Sequence, residues 1–88
     1  MYRFLFTPKA EKDLKNIPKV IAKQIAKKLI YFSNEEDPFK FAKKLKNPLS
    51  GWRFRVGNYR IIFEVDKNKN VNILMILRIA HRKDIYKA

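Results

Sequence analysis

The stretch Trp52-Arg53-Phe54-Arg55-Val56-Gly57-Asn58-Tyr59-Arg60-Ile61-Ile62-Phe63-Glu64-Val65 constrains the fold of this chain more than any other. Apolar and basic residues alternate through its first five positions. A period of two puts Trp52, Phe54 and Val56 on one face of a β-strand and Arg53 and Arg55 on the other. Burying the apolar set holds the two guanidinium groups side by side, about 6.6 Å apart along the strand. Gly57-Asn58 suits a tight hairpin turn because both residues tolerate positive φ. The turn brings Arg60 back beside the first strand. Three arginines on neighbouring strands are thus expected to form a phosphate-sized cluster on one exposed surface.

Such a cluster fits the charge of the whole chain. The 88 residues carry 21 Lys and Arg against 8 Asp and Glu, a net charge of +13. A self-repelling surface of that size points to a polyanionic partner, nucleic acid before an anionic membrane. The two basic residue types are also segregated. Lysine fills the first half of the chain, whereas five of the six arginines lie from Arg53 onward. Lysine is a mobile, hydrated charge; arginine is a planar fork suited to fixed bidentate phosphate contacts. With no cysteine and one histidine, disulfides, zinc knuckles and most metal sites are excluded. Met1 to Phe6 lacks the length and cleavage site of a secretory leader, and no apolar run approaches the roughly eighteen residues of a membrane span. A cytoplasmic protein with no membrane partner is expected, as one domain over residues 1–88.

Residues Tyr2 to Phe6 alternate as a first strand. Thr7-Pro8 is a helix start, an N-cap followed by proline at the first helical position. Ala10, Leu14 and Ile17 share the inner face of that helix, and Pro18 ends it. Ile21, Ile25, Leu29 and Phe32 then recur every three or four residues, the pattern of an amphipathic helix from Lys19 to about Phe32. Its outer face carries Lys19, Lys23 and Lys27 at i,i+4 spacing. Each such like-charge pair costs a few tenths of a kcal/mol. The stripe reads either as a solvated face or as an RNA-facing one. Asp37-Pro38 caps a further helical turn through about Leu45, and the Glu35-Glu36-Asp37 cluster reads as capping and loop solubility rather than a metal site. Lys46 to Gly51 is a loop, and Asp66 to Asn70 a hairpin turn. Val71 to Ile79 is nearly continuously apolar, as in a central strand covered on both faces; Arg78 within it is expected to pair with Glu64 or the sheet edge. Trp52 has the phase of a core residue, and Tyr59 is expected under the turn. The outcome is an α+β fold, β-α-α-β-β-β with a short helical turn: a small, mostly antiparallel four-stranded sheet with a helical hairpin packed on one face.

A basic-x-basic strand, then Gly57-Asn58-Tyr59-Arg60-Ile61-Ile62-Phe63, an apolar strand, and His81-Arg82-Lys83-Asp84-Ile85-Tyr86 together resemble the RelE group of the RelE/ParE toxin superfamily. The resemblance spans essentially the whole chain, including the Pro-punctuated helical hairpin and the Lys44-Leu45-Lys46-Asn47-Pro48-Leu49 loop. It implies a toxin of a type II toxin–antitoxin system, a ribosome-dependent endoribonuclease that cuts mRNA in the ribosomal A site by 2′-hydroxyl attack. It implies a RelB-like antitoxin, the ribosome and mRNA as partners, and neither a metal nor a small-molecule cofactor. The family's two strand bases fall on Arg53 and Arg55, its phosphate-clamping arginines on Arg60 and Arg82, and its C-terminal aromatic on Tyr86. His81 matches a histidine common before the second clamp. Lys19, Lys23, Lys27, Lys44 and Lys46 are expected to add nucleic-acid contacts.

Two departures from the family pattern bear on chemistry. Some members carry lysines where Arg53 and Arg55 stand, and a guanidinium, unlike an amine, does not give up its proton. Only two residues follow Tyr86, so a loosely anchored tail is expected. Cleavage by a 2′-hydroxyl needs a base, donors for an anionic phosphorane, and a proton for the leaving 5′-oxygen. Arginines supply the donors, and Tyr86 a ring for a splayed nucleotide. His81 reads equally as the general acid or base and as a strand-end histidine with a structural hydrogen bond. Two other functions stay open: a non-catalytic basic protein bound to RNA or ribosomes, and a gyrase poison like the ParE relatives, which lack the basic cluster.

Overall fold

A computed structural model describes residues 2–45, 51–66 and 72–85. Its elements run β1 (Arg3–Phe6), α1 (Pro8–Lys15), α2 (Lys19–Ser33), a 3-10 turn (Pro38–Phe41), β2 (Ala42–Lys44), β3 (Trp52–Val56), β4 (Tyr59–Val65) and β5 (Ile73–His81). The expected loop over 46–50 and the hairpin turn over 67–70 lie outside the described residues, as do Val71 and Tyr86. The strands form one sheet of order β1-β5-β4-β3-β2. β1 is parallel to β5, and the remaining neighbours are antiparallel. The α+β class stands, with five strands rather than four. The additional strand is β2: the helical turn expected through Leu45 ends at Phe41, and three residues then pair along the edge of β3. Lys43 and Lys44 make that edge unattractive to another chain.

Local chemistry sets the helix starts. The Thr7 hydroxyl accepts the Ala10 N–H at 3.1 Å, with Pro8 in the first turn of α1. The Asp37 carboxylate accepts the Phe39 N–H at 3.1 Å and opens the 3-10 turn. Ile25, Leu29 and Phe32 of α2 pack with Phe54, Val56, Ile61, Phe63, Leu74, Ile76 and Ile79 of the sheet. The rings of Phe63, Phe54, Phe32 and Phe41 stack in sequence, with centroids 4.4, 4.3 and 5.2 Å apart. Full burial of one such ring stabilises the fold by about 1.5–3 kcal/mol. Trp52 keeps the core phase and packs on Phe39, 4.9 Å between centroids.

The long strand β5 is held by α1 where β1 stops. Ile62 pairs with Arg78 and Phe63 with Ile76, so Leu77 is an extra residue, a bulge. Beyond it the Asp13 carboxylate accepts the backbone N–H of Ile79 at 2.9 Å and the Arg78 Nε–H at 3.0 Å. The Thr7 hydroxyl donates to the Leu77 carbonyl at 3.3 Å. Arg78 therefore pairs with Asp13 of α1 and not with Glu64, because β1 pairs with β5 only as far as Ile76 and leaves beyond it a backbone edge that a carboxylate can cap. Residues of β5 alternate between buried and partly exposed rather than being covered on both faces. Among the described residues, no helix is long and apolar enough to cross a membrane.

Candidate nucleic-acid interface

Both helices pack against one side of the sheet, on the face of Phe54, Ile61 and Ile79. Strand register fixes what occupies the other face. Lys43 pairs with Arg53 across β2 and β3, and Arg55 pairs with Arg60 across β3 and β4. These are two like-charge pairs, one pleat apart, on the same face. Like charges directly opposite are destabilising, so this register favours an anion on that face.

The arginines differ in their freedom. Arg55 is exposed, Arg53 half-buried and Arg60 buried, at 8% exposure. Arg60 Nη1 donates to the Gly57 and Tyr59 carbonyls, both at 3.1 Å. Part of the expected exposed cluster is thus sunk into the hairpin, where the guanidinium staples the turn. Gly57 takes a φ of 58° there, a left-handed conformation. Arg82 joins the same tip, since its backbone N–H donates to the Asn58 carbonyl at 2.8 Å while the residue itself is exposed. Between them Arg60 and Arg82, from separate segments, engage three consecutive carbonyls, Gly57 and Tyr59 by the Arg60 side chain and Asn58 by the Arg82 backbone N–H.

His81 stands elsewhere. It pairs with Tyr59, which pairs with Val56, so its register places it on the helix-facing side of the sheet. Its ring meets Tyr59 edge to face at 5.4 Å, and its Nδ1 accepts the Lys83 N–H at 3.2 Å. The Asp84 and Ile85 N–H groups donate to the His81 carbonyl at 2.8 and 3.0 Å. With Ile85 buried, these bonds curl the chain after β5 into a turn that leads toward position 86. Tyr86 lies outside the described residues. Sequence reasoning missed the anchoring role of Ile85, whose only signal was an apolar residue in a polar tail.

The expected lysine contacts divide between surfaces. Lys19, Lys23 and Lys27 are exposed on the outer side of α2, with the helix layer and the sheet between them and the arginines. Lys44 pairs with Trp52 and holds its Nζ 5.9 Å from that ring, on the helix-facing side. Lys46 lies outside the described residues. Among the described residues, no group of three or more His, Cys, Asp or Glu is placed to hold a metal ion. Tyr31 is held above the ordinary tyrosine range, first by its hydrogen bond to Glu35 and then by that carboxylate's charge.

The chain matches the model of ParE toxins of type II toxin–antitoxin systems, parDE, over residues 4–86. Toxin RelE3 of Methanocaldococcus jannaschii is 40% identical over 96% of this chain and 94% of its own length. Toxin RelG of Mycobacterium tuberculosis is 30% identical over 98% and 97%. The fold matches the crystal structure of the RelBE2 toxin–antitoxin complex from Mycobacterium tuberculosis with a TM-score of 0.75, at 28% identity over 92% of this chain and 98% of that one. A sheet with its helices on one side, a Tyr-Arg-Ile-Ile-Phe strand at its centre and whole-length similarity to two toxins lead to one assignment: the chain is a RelE-type toxin of the RelE/ParE superfamily of type II toxin–antitoxin systems.

Proposed function

We propose that this toxin is an endoribonuclease that cuts mRNA in the A site of the ribosome, using the sheet face that carries Arg53, Arg55 and Arg60 together with Arg82. The observation that carries this reading is the strand register that sets Lys43 opposite Arg53 and Arg55 opposite Arg60 on one face. Repulsion built into a sheet face is relieved by an anion, most of all by the dianionic phosphorane of 2′-hydroxyl attack. In that step the 2′-oxygen bonds to phosphorus and the P–O5′ bond breaks. The 2′-hydroxyl loses a proton and the 5′-oxygen gains one, leaving a 2′,3′-cyclic phosphate and a 5′-hydroxyl.

Arg82 reaches the phosphate from the hairpin tip, which the buried Arg60 guanidinium holds in shape, while Arg53 and Arg55 approach from β3. Tyr86 stacks on a splayed nucleotide. His81, turned toward Tyr59 with its Nδ1 engaged, positions the turn that carries Arg82 rather than moving protons. No metal is required, because the positive charge is supplied by side chains. Without an efficient base, the rate depends on in-line alignment of the 2′-oxygen, which explains a dependence on the ribosome to shape the substrate. A RelB-like antitoxin is the natural inhibitor, since the similar RelBE2 toxin was crystallised with its antitoxin.

The test is nucleotide-resolution mapping of RNA ends on ribosomes stalled on a defined message, with naked RNA as control. Cleavage confined to the A-site codon, with 5′-hydroxyl ends, is expected. Binding without new ends on ribosomes sinks the reading and leaves a non-catalytic RNA-binding toxin.

A further inference from the structure

A cavity of about 310 Å³ opens beside the arginine pair, lined by Lys40, Phe41, Ala42, Lys43, Arg53 and Arg55. Three segments supply its walls: the 3-10 turn, β2 and β3. Four of the six lining residues are cationic, and none is acidic. The one large apolar surface is Phe41, 42% exposed. That ring ends the stack of Phe63, Phe54, Phe32 and Phe41 that rises from the core. Phe41 is therefore backed by a rigid column, and its ring is held at an interplanar angle of 25° to Phe32.

On the other side of Phe41 the charge reverses. A second cavity, of about 260 Å³, is lined by Asn34, Glu35, Glu36, Asp37, Lys40 and Phe41. Lys40 and Phe41 form the divide between the two. A polyanion entering the first is repelled by the carboxylates of the second.

We infer that the cationic cavity is a nucleotide subsite for single-stranded RNA, in which a base rests on Phe41 and its phosphate sits among Lys40, Lys43, Arg53 and Arg55. An exposed aromatic ring flanked by cations is the arrangement that binds unpaired bases without sequence readout. Because Arg53 and Arg55 belong to both surfaces, the seated nucleotide neighbours the scissile phosphate. In that respect the subsite rests on the cleavage reading; RNA binding at the cavity does not.

The test is titration of the folded protein with 2′-O-methyl oligoribonucleotides, intact or carrying one abasic nucleotide at each position in turn. Phe41→Leu is expected to weaken binding of the intact strand about ten-fold. The wild type loses the same factor when the seated nucleotide is abasic, and Phe41→Leu then loses nothing further. Phe41→Tyr restores binding, which guards against a folding artefact in the leucine variant. Lys43→Gln lowers the slope of affinity against salt by about one. Binding by folded Phe41→Leu within two-fold of wild type, or equal losses at every abasic position, overturns the subsite. The same variants on programmed ribosomes separate the two claims. Wild-type cleavage without Phe41 coupling removes the subsite and keeps the nuclease. Coupling without cleavage keeps the subsite and removes the nuclease.

Discussion

At the scale of single residues, the charged side chains divide by what their neighbours leave them to do. Arg55 is exposed and faces another arginine; Arg60 is buried and bonded to turn carbonyls. Replacing Arg60 therefore confounds folding with chemistry, and Arg55 is the cleaner probe. His81 is separable by the choice of substitute. Asn places its amide oxygen near the position of Nδ1 and can accept the Lys83 N–H; Gln places its oxygen nearer Nε2. On ribosome-bound mRNA, His81→Asn is expected to keep cleavage within about three-fold of wild type, whereas His81→Ala and His81→Gln lose about ten-fold. An equal, thousand-fold loss in all three would make His81 an acid or base after all. The alternation of Trp52 to Val56 made the faces of Arg53 and Arg55 legible in advance. The burial of Arg60 was not, since it depends on carbonyls presented by the folded turn.

At the scale of elements, each discrepancy has a long-range cause. The helix starts at Thr7-Pro8 and Asp37-Pro38 were legible because caps are local. β2 was not, because Ala42-Lys43-Lys44 has no strand propensity and pairs only once β3 is in place. Asp13 gave no signal either: its partners, Arg78 and the Ile79 N–H, lie 65 and 66 residues away. Asp13→Asn is expected to destabilise the chain by about 1–3 kcal/mol, measured by urea unfolding, as a charged acceptor is removed from the β5 edge beyond β1. The two described glycines make a matched pair. Gly51 has a φ of 99°, and a Cβ there would sit 2.5 Å from the Phe63 carbonyl oxygen. Gly57 has a φ of 58° with open space around it. Gly51→Ala should cost about 2–4 kcal/mol, and Gly57→Asn less than about 1 kcal/mol, since Asn tolerates that conformation. Equal melting temperatures for the two variants would contradict the β3 geometry.

At the scale of the whole molecule, two cationic surfaces look in opposite directions. Arg53, Arg55 and Arg60 share the sheet face away from the helices, and Lys19, Lys23 and Lys27 stand on the far side of α2. The total of +13 was legible from composition, but its division required the layer order. On the proposed function, a stripe remote from the arginine face is expected to contribute to docking and not to the chemical step. Replacing all three lysines with Gln is expected to raise KM about ten-fold with kcat unchanged, and to flatten the salt dependence of ribosome binding. A fall in kcat would place the stripe in contact with the reacting strand. The central claim is that paired arginines on the sheet face trade stability for a bound phosphate. Its most direct test is Arg55→Ala, measured for both unfolding free energy and single-turnover cleavage of ribosome-bound mRNA. Stability unchanged or raised by up to about 1 kcal/mol, with cleavage slowed at least about 100-fold, is the predicted result. A destabilised variant that cleaves at the wild-type rate would contradict it.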